Sequence, residues 1–364
     1  MLVFAAAGGR LTPAEGVAVT LASLVPALAT HRWIEEPLRH SKAHLRRPRA
    51  ILAGALAGPA VAVAAGVALS ASLASPAALA AGQVEGAGQL ARTGALQETA
   101  AGLRPRPVDA SEDRGKPYDD GCLVPEPARS SPACVYGARS ARTTAVLYGD
   151  SHAMQLFPAL EHVAERRGWR LVDLTKAGCP PSLVPVVSPL SRRRYPECEA
   201  WRAHALRRIR DLHPALVLAT GSAHHQVFAG SRRLKGAAAA RALGDGWPPA
   251  LRELQRIAGT VVVMIDPPRA PIDVPGCVSE HLRELRRCAF ARGRATAGAQ
   301  TVGAAARTVE RVTVLDPTDL LCLQDLCPSV IGDALVYRNS GHLTASFAAT
   351  LGPWLGRRLP RIAG

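Results

Sequence analysis

Residues 143–152 read TTAVLYGDSH, an apolar, strand-like run that ends in Gly-Asp-Ser and leads into a helical pattern over residues 153–167. A buried strand would deliver Ser151 to the carboxyl edge of a sheet. There the following helix would turn its free backbone N–H groups and its positive dipole end toward the serine. Oxyanions are favoured at such a position. The stretch therefore predicts a serine nucleophile at a strand-to-helix turn.

A serine nucleophile needs a neighbouring base, and residues 337–344, which read YRNSGHLT, supply a histidine. His342 precedes the last predicted helix, at the far end of the same stretch of alternating elements. A Gly-Asp-Ser turn by itself is more often ordinary turn and N-cap chemistry. The late histidine is what favours a catalytic interpretation of Ser151.

Apolar runs and amphipathic stretches alternate between these two segments, which predicts a parallel sheet covered by helices on both faces. Sites in such sheets lie outside the carboxyl ends of the strands. The residues that fall at or just after these predicted ends are Ser151, Gly178, residues 220–222, Asp266 and Asp316. The predicted strands span 144–149, 169–174, 214–220, 260–266 and 311–316, and the predicted helices span 153–167, 199–211, 248–257, 290–308 and 344–358.

The length of 364 residues allows about two domains. Apolar residues make up 48% of the chain, which leaves ample material for a core. The net charge of +15 is compatible with nucleic-acid binding. However, the basic residues are mostly scattered arginines, and no nucleic-acid motif is present, so we expect no nucleic-acid partner. The basic residues are densest over residues 32–49, between two apolar segments, which is typical of membrane proteins.

Residues 51–73 are apolar or small throughout and long enough to cross a hydrocarbon layer of about 30 Å, which predicts a transmembrane helix. A secretory signal is the alternative, but it would begin nearer the N-terminus. Residues 17–29 form a weaker second span. The basic loop at 32–49 predicts a cytoplasmic side there and an extracytoplasmic side after residue 73. The expected location is the cell membrane, with one or two spans.

Eight cysteines, all beyond residue 121, fall in the part predicted to lie outside a reducing cytosol. An even number favours disulfides, and pairing of sequence neighbours is the simplest of the 105 connectivities. A zinc site is the alternative, but no C-x-x-C pair exists and the spacings suit loop staples better. We therefore expect no metal. The expected pairs are Cys122 with Cys134, Cys179 with Cys198, Cys277 with Cys288, and Cys322 with Cys327.

Residues 74–117 are rich in Ala, Gly, Pro and Gln and show no sustained periodicity, which predicts a linker. Together these observations predict four parts. They are a first membrane-associated part at 1–50, a transmembrane helix at 51–73, an extracytoplasmic linker at 74–117 and an α/β domain at 118–364.

Three motifs in the α/β part resemble the SGNH (GDSL-like) hydrolase superfamily: GDSH at 149–152, KAGCPP at 176–181 and YRNSGHLT at 337–344. The order of parts is similar to the extracytoplasmic SGNH domain that is fused to acyltransferase-3 membrane proteins. In those fusions the membrane unit ends in a segment like HRWIEEPLR at 31–39. One more helix, a linker and a domain with paired cysteines follow it. The resemblance thus makes residues 1–50 a remnant of the membrane unit.

The resemblance implies a flavodoxin-like three-layer sandwich with a parallel sheet. It also implies that Ser151 is the nucleophile, that His342 is its general base, and that the N–H groups of Ser151 and Gly178 belong to an oxyanion hole. Ser222 is the candidate for the third oxyanion donor, where the wider superfamily has an Asn. Asp150 and His152 are expected to support the turn that carries the nucleophile.

The chain departs from the family pattern in two ways. Most of the membrane acyltransferase is absent, so the acyl donor is expected to be a separate acyltransferase-3 unit, unless the start of the gene is missing. That donor would pass on an acetyl group that ultimately comes from acetyl-CoA, and no bound cofactor is expected. The second departure is Asn339, where the family has the Asp of Asp-x-x-His. Either a Ser–His dyad works alone, or an acid such as Asp316 or Asp333 replaces the missing carboxylate.

The acceptor decides the product of a Ser–His acyl transfer. A hydroxyl of a cell-envelope glycan would make the protein an O-acyltransferase, and the resemblance favours an O-acetyltransferase of this kind. Water would make it a carbohydrate esterase or deacetylase. A glycan-binding head with a weakened catalytic site is the third hypothesis. The expected partners are the membrane, a glycan acceptor and a membrane acyltransferase-3 unit.

Overall fold

The structure is a computed structural model that describes residues 21, 24–25, 28–29, 31–36, 85–100 and 102–362. The chain divides into two compact units, Met1–Gln83 and Val84–Gly364. In the first unit the described residues include a short π-helical segment, His31–Glu35. The predicted transmembrane helix at 51–73 lies outside the described residues, as do most of the basic loop and of the weaker span. Within the parts of the chain that the structure describes, none of the helices combines the length and the apolar character that crossing a bilayer requires.

A mainly parallel β-sheet forms the centre of the second unit. The described strands are β1 Leu123–Val124, β2 Val135–Gly137, β3 Thr144–Gly149, β4 Arg170–Lys176, β5 Leu216–Thr220, β6 Val227–Ala229, β7 Arg232–Leu234, β8 Thr260–Met264, β9 Phe290–Ala291, β10 Val312–Leu315, β11 Leu326–Cys327, β12 Val330–Ile331 and β13 Ala334–Leu335. Seven of them build the sheet, in the order β1-β4-β3-β5-β8-β10, with β2 antiparallel beside β4. The remaining strands form small antiparallel pairs outside it.

The five main parallel strands have the order that defines a flavodoxin-like fold. In chain order they lie as 2-1-3-4-5, because the second of them, β4, is at one side of β3 and all later strands are at the other. The direction of winding therefore reverses between β3 and β5. Ligands bind at such a switch point, outside the carboxyl ends of the two strands. Gly149 and Thr220 are paired in register at this edge. The predicted α/β fold with a central parallel sheet is confirmed.

Helices cover both faces of the sheet and create two cores. The helix bounds are α1 Ala87–Thr93, α2 Ser151–Met154, α3 Phe157–Arg167, α4 Pro196–Leu212, α5 Gly236–Asp245, α6 Trp247–Ile257, α7 Val274–Glu280, α8 Arg292–Ala306, α9 Thr318–Leu321, α10 Ala345–Thr350 and α11 Gly352–Arg358. On one face α3, α10 and α11 pack with Leu147 and Leu171, and on the other α4, α6 and α8 pack with Val146 and Val172. Neighbouring strand residues alternate between the two cores because side chains alternate across a strand.

The helix predicted over 153–167 is two helices in the structure. The first, α2, begins at Ser151, and the second, α3, carries Pro158 in its first turn. Proline is favoured at the first positions of a helix and disrupts its interior, so a new helix starts there. The nucleophile candidate thus lies in a short helix of its own.

All eight cysteines are among the described residues, and they form the four predicted disulfides. Each bridge joins cysteines that are neighbours in the sequence, with separations of 12, 19, 11 and 5 residues. The disulfide prediction is confirmed. Disulfides persist in oxidising compartments, so this pattern favours a location outside the cytosol.

The folded unit begins earlier than the sequence predicts. Residues 85–100 and 102–117 belong to the predicted linker, yet α1 and two 3₁₀ turns form there, and Leu90 and Ala110 are buried in the core. The backbone carbonyl and side chain of Asp113 accept hydrogen bonds from Ala345 N and Ser346 N, at 2.9 and 3.1 Å. These short turns have no helical period, which is why the sequence pattern missed them. Residues 74–84 lie outside the described part.

Candidate active site

A tight turn places Ser151 at the switch point of the sheet. Gly149 precedes it at the end of β3, and a Cβ atom at Gly149 would run into the backbone carbonyl of Thr220 on β5. Only glycine therefore lets the two strands approach at this edge. Asp150 caps α2, because its Oδ1 accepts a hydrogen bond from His152 N at 2.8 Å. Ser151 is consequently the first residue of a helix that starts immediately outside the sheet.

Ser151, His342 and Asn339 form one line of hydrogen bonds. His342 Nε2 lies 2.9 Å from Ser151 Oγ, and His342 Nδ1 lies 3.2 Å from Asn339 Oδ1. The same Oδ1 accepts from the backbone N–H groups of Gly341 and His342, both at 2.8 Å. An amide nitrogen could not accept these bonds, so the oxygen of Asn339 must face the histidine. Nδ1 therefore carries the proton, and Nε2 is free to accept one from Ser151.

The loop that carries His342 is fixed at both ends. Arg338 N donates to His342 O at 2.9 Å, which closes the loop on itself. Leu343 N donates to Gln155 Oε1 at 2.7 Å and so ties the loop to the turn after α2. The hydroxyl of Thr344 caps α10 by accepting from Phe347 N at 3.1 Å. These contacts hold the imidazole against the serine.

A second histidine, His152, lies beside the first. Its ring centroid is 4.7 Å from that of His342. His152 Nδ1 is 2.6 Å from Asp266 Oδ1, and the other oxygen of Asp266 accepts from Ala223 N at 3.1 Å. Burial opposes protonation of His152, but the charge and hydrogen bond of Asp266 outweigh it and raise the His152 pKa. His152 therefore holds a proton more readily than an ordinary histidine does.

His342 has the opposite tendency. Burial, then the positive charges of His152 and Arg338, lower the pKa of His342 to about 2. Asn339 brings no negative charge to offset them. His342 is thus a neutral imidazole at ordinary pH, which is the form that can accept a proton from Ser151.

Asp150 anchors the turn to the neighbouring strand. Its Oδ2 accepts from Ser222 N at 3.0 Å and lies 2.7 Å from His225 Nε2. Burial opposes ionisation of this carboxyl group, but the hydrogen bond and charge of His225 prevail and lower its pKa to about 2. The carboxylate therefore locks the end of β3 to the loop after β5.

The two further oxyanion candidates lie on loops at the same edge of the sheet. Gly178 follows β4 with a φ of +65°, and a Cβ there would approach Pro189 Cδ to 2.6 Å. Ser222 follows β5, but its N–H already donates to Asp150, and its Oγ accepts from His224 N at 3.3 Å. The hydroxyl hydrogen of Ser222, rather than its amide, is therefore the group that could reach an oxyanion.

Neither Asp316 nor Asp333 takes the place of the missing carboxylate. Asp316 accepts from Thr318 N and Gln300 Nε2 at the start of α9. Asp333 accepts from Glu85 N and lies 3.9 Å from Arg104. The partner of His342 Nδ1 is Asn339. Of the two arrangements that the sequence left open, the geometry favours the Ser–His dyad.

Sequence reasoning placed Asp266 at the correct edge of the sheet but gave it no role, and it gave His225 none either. Both contact the turn of Ser151, through His152 and Asp150 respectively. Tyr118 was also missed, although its hydroxyl lies 3.4 Å from the carbonyl of Ser151 and accepts from Arg338 at 2.9 Å. The position of Asp266 after a buried strand was the one signal available.

Among the described residues, one group has potential ligand atoms close enough together to hold a metal ion, namely Cys277, His281 and Cys288. The two cysteines are bonded to each other, so their sulfurs are not thiolate ligands. His281 Nδ1 lies 3.0 Å from the carbonyl of Cys277. The disulfide accounts for the proximity.

Comparison with known structures gives several remote likenesses. A periplasmic domain of a lipopolysaccharide acetyltransferase from Salmonella ser. Paratyphi A matches with 16% identity, covering 60% of this chain and 84% of that one, at a TM-score of 0.47. A carbohydrate acetylesterase from Sinorhizobium meliloti matches with 12% identity, covering 59% of this chain and 97% of that one, at a TM-score of 0.37. A carbohydrate esterase family 2 enzyme from Corynascus thermopiles matches with 13% identity, covering 61% of this chain and 67% of that one, at a TM-score of 0.37.

These likenesses are too distant to carry an argument about activity. No curated protein sequence matches the chain. A family model does match: the SGNH domain that is fused to AT3 domains fits residues 121–356, which include the turn of Ser151 and the loop of His342. The chain belongs to the SGNH family of domains fused to acyltransferase-3 units.

Proposed function

We propose that this protein is an O-acyltransferase that moves an acyl group, and most simply an acetyl group, through an ester on Ser151 to a hydroxyl of a cell-envelope glycan. The observation that carries the proposal is the 2.9 Å contact between Ser151 Oγ and His342 Nε2, with Nδ1 held by Asn339. It supports acyl transfer because a neutral imidazole in this tautomer can remove the serine proton as the serine attacks.

The reaction has two halves. In the first, Ser151 Oγ attacks the acyl carbonyl, His342 takes the serine proton and returns it to the leaving group, and a serine ester remains. In the second, an acceptor hydroxyl gives its proton to His342 and attacks the ester. The bond from the acyl carbon to Ser151 Oγ then breaks, and His342 returns the proton to the serine. N–H groups at Ser151 and Gly178, and the hydroxyl of Ser222, are the candidates for stabilising the oxyanion in both halves.

The esterase hypothesis shares the first half and differs only in the acceptor, which is water. The Ser–His contact is compatible with both, so acceptor use must be measured. A glycan-binding head without activity is the remaining alternative.

The membrane part of the proposal stays a prediction. We propose that an acyltransferase-3 unit presents the acetyl group, drawn ultimately from acetyl-CoA, and that the folded unit lies outside the cytoplasm, anchored to the cell membrane through residues 51–73. The four disulfides support the extracytoplasmic location. The sequence segment at 31–39 supports the relation to acyltransferase-3 proteins.

The test is the cleavage of p-nitrophenyl acetate, with and without a glycan acceptor, by the natural chain and by Ser151→Ala. A matched control is Ser140→Ala, which removes an exposed hydroxyl from the loop before β3, at the opposite edge of the sheet. Acetylated acceptor, formed only when Ser151 is present, would support transfer. Acetate release at the same rate with and without the acceptor, and without acetylated acceptor, would indicate an esterase. Equal cleavage by the natural chain and Ser151→Ala would overturn both catalytic hypotheses.

A further inference from the structure

A cavity of about 350 Å³ opens beside the catalytic turn, between the loops after β5 and β8 and the helices α5 and α8. This volume is in the range of small-ligand sites, which begin at about 300 Å³. Its wall is built from alanines and glycines that leave the space open, such as Ala237, Ala240 and Gly298. A Cβ at Gly298 would lie 3.2 Å from the carbonyl of Ala223, so glycine also allows α8 to approach the loop.

The polar groups at this cavity are almost all basic. Arg269 and Arg294 line it together with His224, His225 and Thr301, and none of the described lining residues is acidic. Across the described residues, neither Arg269 nor Arg294 forms an ion pair or a side-chain hydrogen bond. Asp266 lies three residues before Arg269, but both of its oxygens are engaged by His152 and Ala223. The two guanidinium groups therefore lack a carboxylate partner.

The cavity is directly coupled to the catalytic turn. His225 lines it and contacts Asp150, the residue before the nucleophile, at 2.7 Å. A sugar residue bound in this cavity would thus lie next to the sugar that reacts at Ser151.

We propose that this Arg269/Arg294 cavity is a subsite for an anionic group, a carboxylate or a phosphate, on the acceptor glycan. Guanidinium groups bind both anions through paired N–H donors, and two of them around one small cavity match a single charged substituent. The identification of the ligand as an acceptor rests on the proposed function. The affinity of the cavity for anionic sugars does not.

Calorimetric titration of the full chain tests the subsite with three probes. They are tetragalacturonate, its fully methyl-esterified and therefore neutral counterpart, and glucose 1-phosphate. We expect an anionic probe to bind and the neutral tetramer to bind at least about tenfold more weakly, because hydrogen bonds to charged groups are the strong ones. Binding should also weaken as salt is raised to about 0.5 M, since exposed charges are screened.

Variants locate the binding. Arg269→Gln and Arg294→Gln should each weaken the anionic probe about tenfold. Arg142→Gln, an exposed arginine before β3 at the opposite edge of the sheet, removes the same charge elsewhere and should change the affinity less than about twofold. Thermal unfolding of each variant checks that the fold is intact, and Arg269→Lys tests whether charge alone suffices.

The outcomes distinguish a carboxylate ligand from a phosphate ligand, and they distinguish failure of the subsite proposal from failure of the proposed function. Binding of tetragalacturonate alone indicates a uronic acid, and binding of glucose 1-phosphate alone indicates a phosphorylated sugar. Equal binding of the neutral tetramer, no binding of either anion, or an equal effect of Arg142→Gln would overturn the subsite. Ester cleavage is measured separately. Cleavage without anion binding would overturn the subsite and leave the proposed function intact. Anion binding without cleavage would overturn the proposed function and leave the subsite intact.

Discussion

His342 and His152 lie with ring centroids 4.7 Å apart, yet their surroundings shift their pKa values in opposite directions. The partner of His342 Nδ1 is the amide of Asn339, and burial with neighbouring cations lowers its pKa to about 2. The partner of His152 Nδ1 is the carboxylate of Asp266, which raises its pKa despite burial. The carboxylate of Asp266 therefore pairs with the neighbouring histidine and not with the base.

The difference separates two tasks that a single carboxylate usually combines. In a Ser–His–Asp triad the carboxylate both orients the imidazole and stabilises its positive form. Asn339 can orient His342 but has no charge to stabilise the imidazolium. The carboxylate of Asp266 instead pairs with His152, which is not the hydrogen-bond partner of Ser151 Oγ. The following predictions test whether the two histidines have these different roles.

The largest effect is expected at the base itself. Because the hydrogen-bond partner of Ser151 Oγ is His342 and not His152, His342→Ala should lower kcat for p-nitrophenyl acetate by about 10³-fold and His152→Ala by about tenfold. Steady-state kinetics of the two variants, with thermal unfolding as a check on folding, measure the contrast. Equal losses would mean that the base is not His342 alone.

Ser151→Ala should be as damaging as His342→Ala. The two groups act in one step, so the double variant should lose little more than either single one. Losses that multiply in the double variant would show that the serine and the histidine do not share that step.

Replacing Asn339 by aspartate should raise the activity. Asn339→Asp places a negative charge beside His342 Nδ1, and the opposite exchange in serine proteases lowers turnover by about 10⁴-fold. We expect an increase of at least about tenfold in kcat, measured on the same ester. Asn339→Ala is the control, because it removes the orienting oxygen and should lower activity. A fall in activity with Asn339→Asp would contradict the assignment of the C-terminal motif.

The pH profile should reveal the neighbouring cation. His342 binds a proton only near pH 2, so kcat/KM should show no acid limb from His342 between pH 8 and 5. Asp266→Asn removes the group that raises the His152 pKa, so His152 loses its charge more readily. Losing that cation raises the His342 pKa, and the acid limb should move to higher pH. An unchanged profile in Asp266→Asn would show that His152 does not influence the base.

The smallest effects are expected at the acids that sequence analysis offered as replacements. Asp316→Ala and Asp333→Ala should each change kcat less than about twofold, since their hydrogen bonds lie away from His342. Asp316→Ala should still destabilise the fold by about 1 kcal/mol, because it removes the hydrogen bonds from Thr318 N and Gln300 Nε2 to the carboxylate. Activity assays and denaturant unfolding separate the two effects. A large loss of kcat in either variant would identify the missing acid.

Local patterns predicted much of this molecule. The strand at Thr144–Gly149 follows from an apolar run, and the disulfides follow from cysteine spacing. Each of these signals comes from residues that are at most 19 positions apart. The Ser151–His342 contact followed from the family motifs. By contrast, the contact between His152 and Asp266 joins residues 114 positions apart, and no local pattern marks it. The same limit applies to Asp113, whose contacts with α10 depend on how the 85–117 segment folds onto the domain.

The nearest-neighbour pattern of the disulfides has a consequence for oxidation of the unfolded chain. Loop-closure entropy favours the formation of short loops, and the native loops of 12, 19, 11 and 5 residues are shorter than those that any mismatched pair would close. Random encounters in the reduced, unfolded polypeptide thus favour native pairing over scrambled isomers. Each bridge also needs only its own segment of chain, so the cysteines can pair in the order in which they emerge during synthesis. Oxidative maturation of this protein should therefore depend little on a disulfide isomerase.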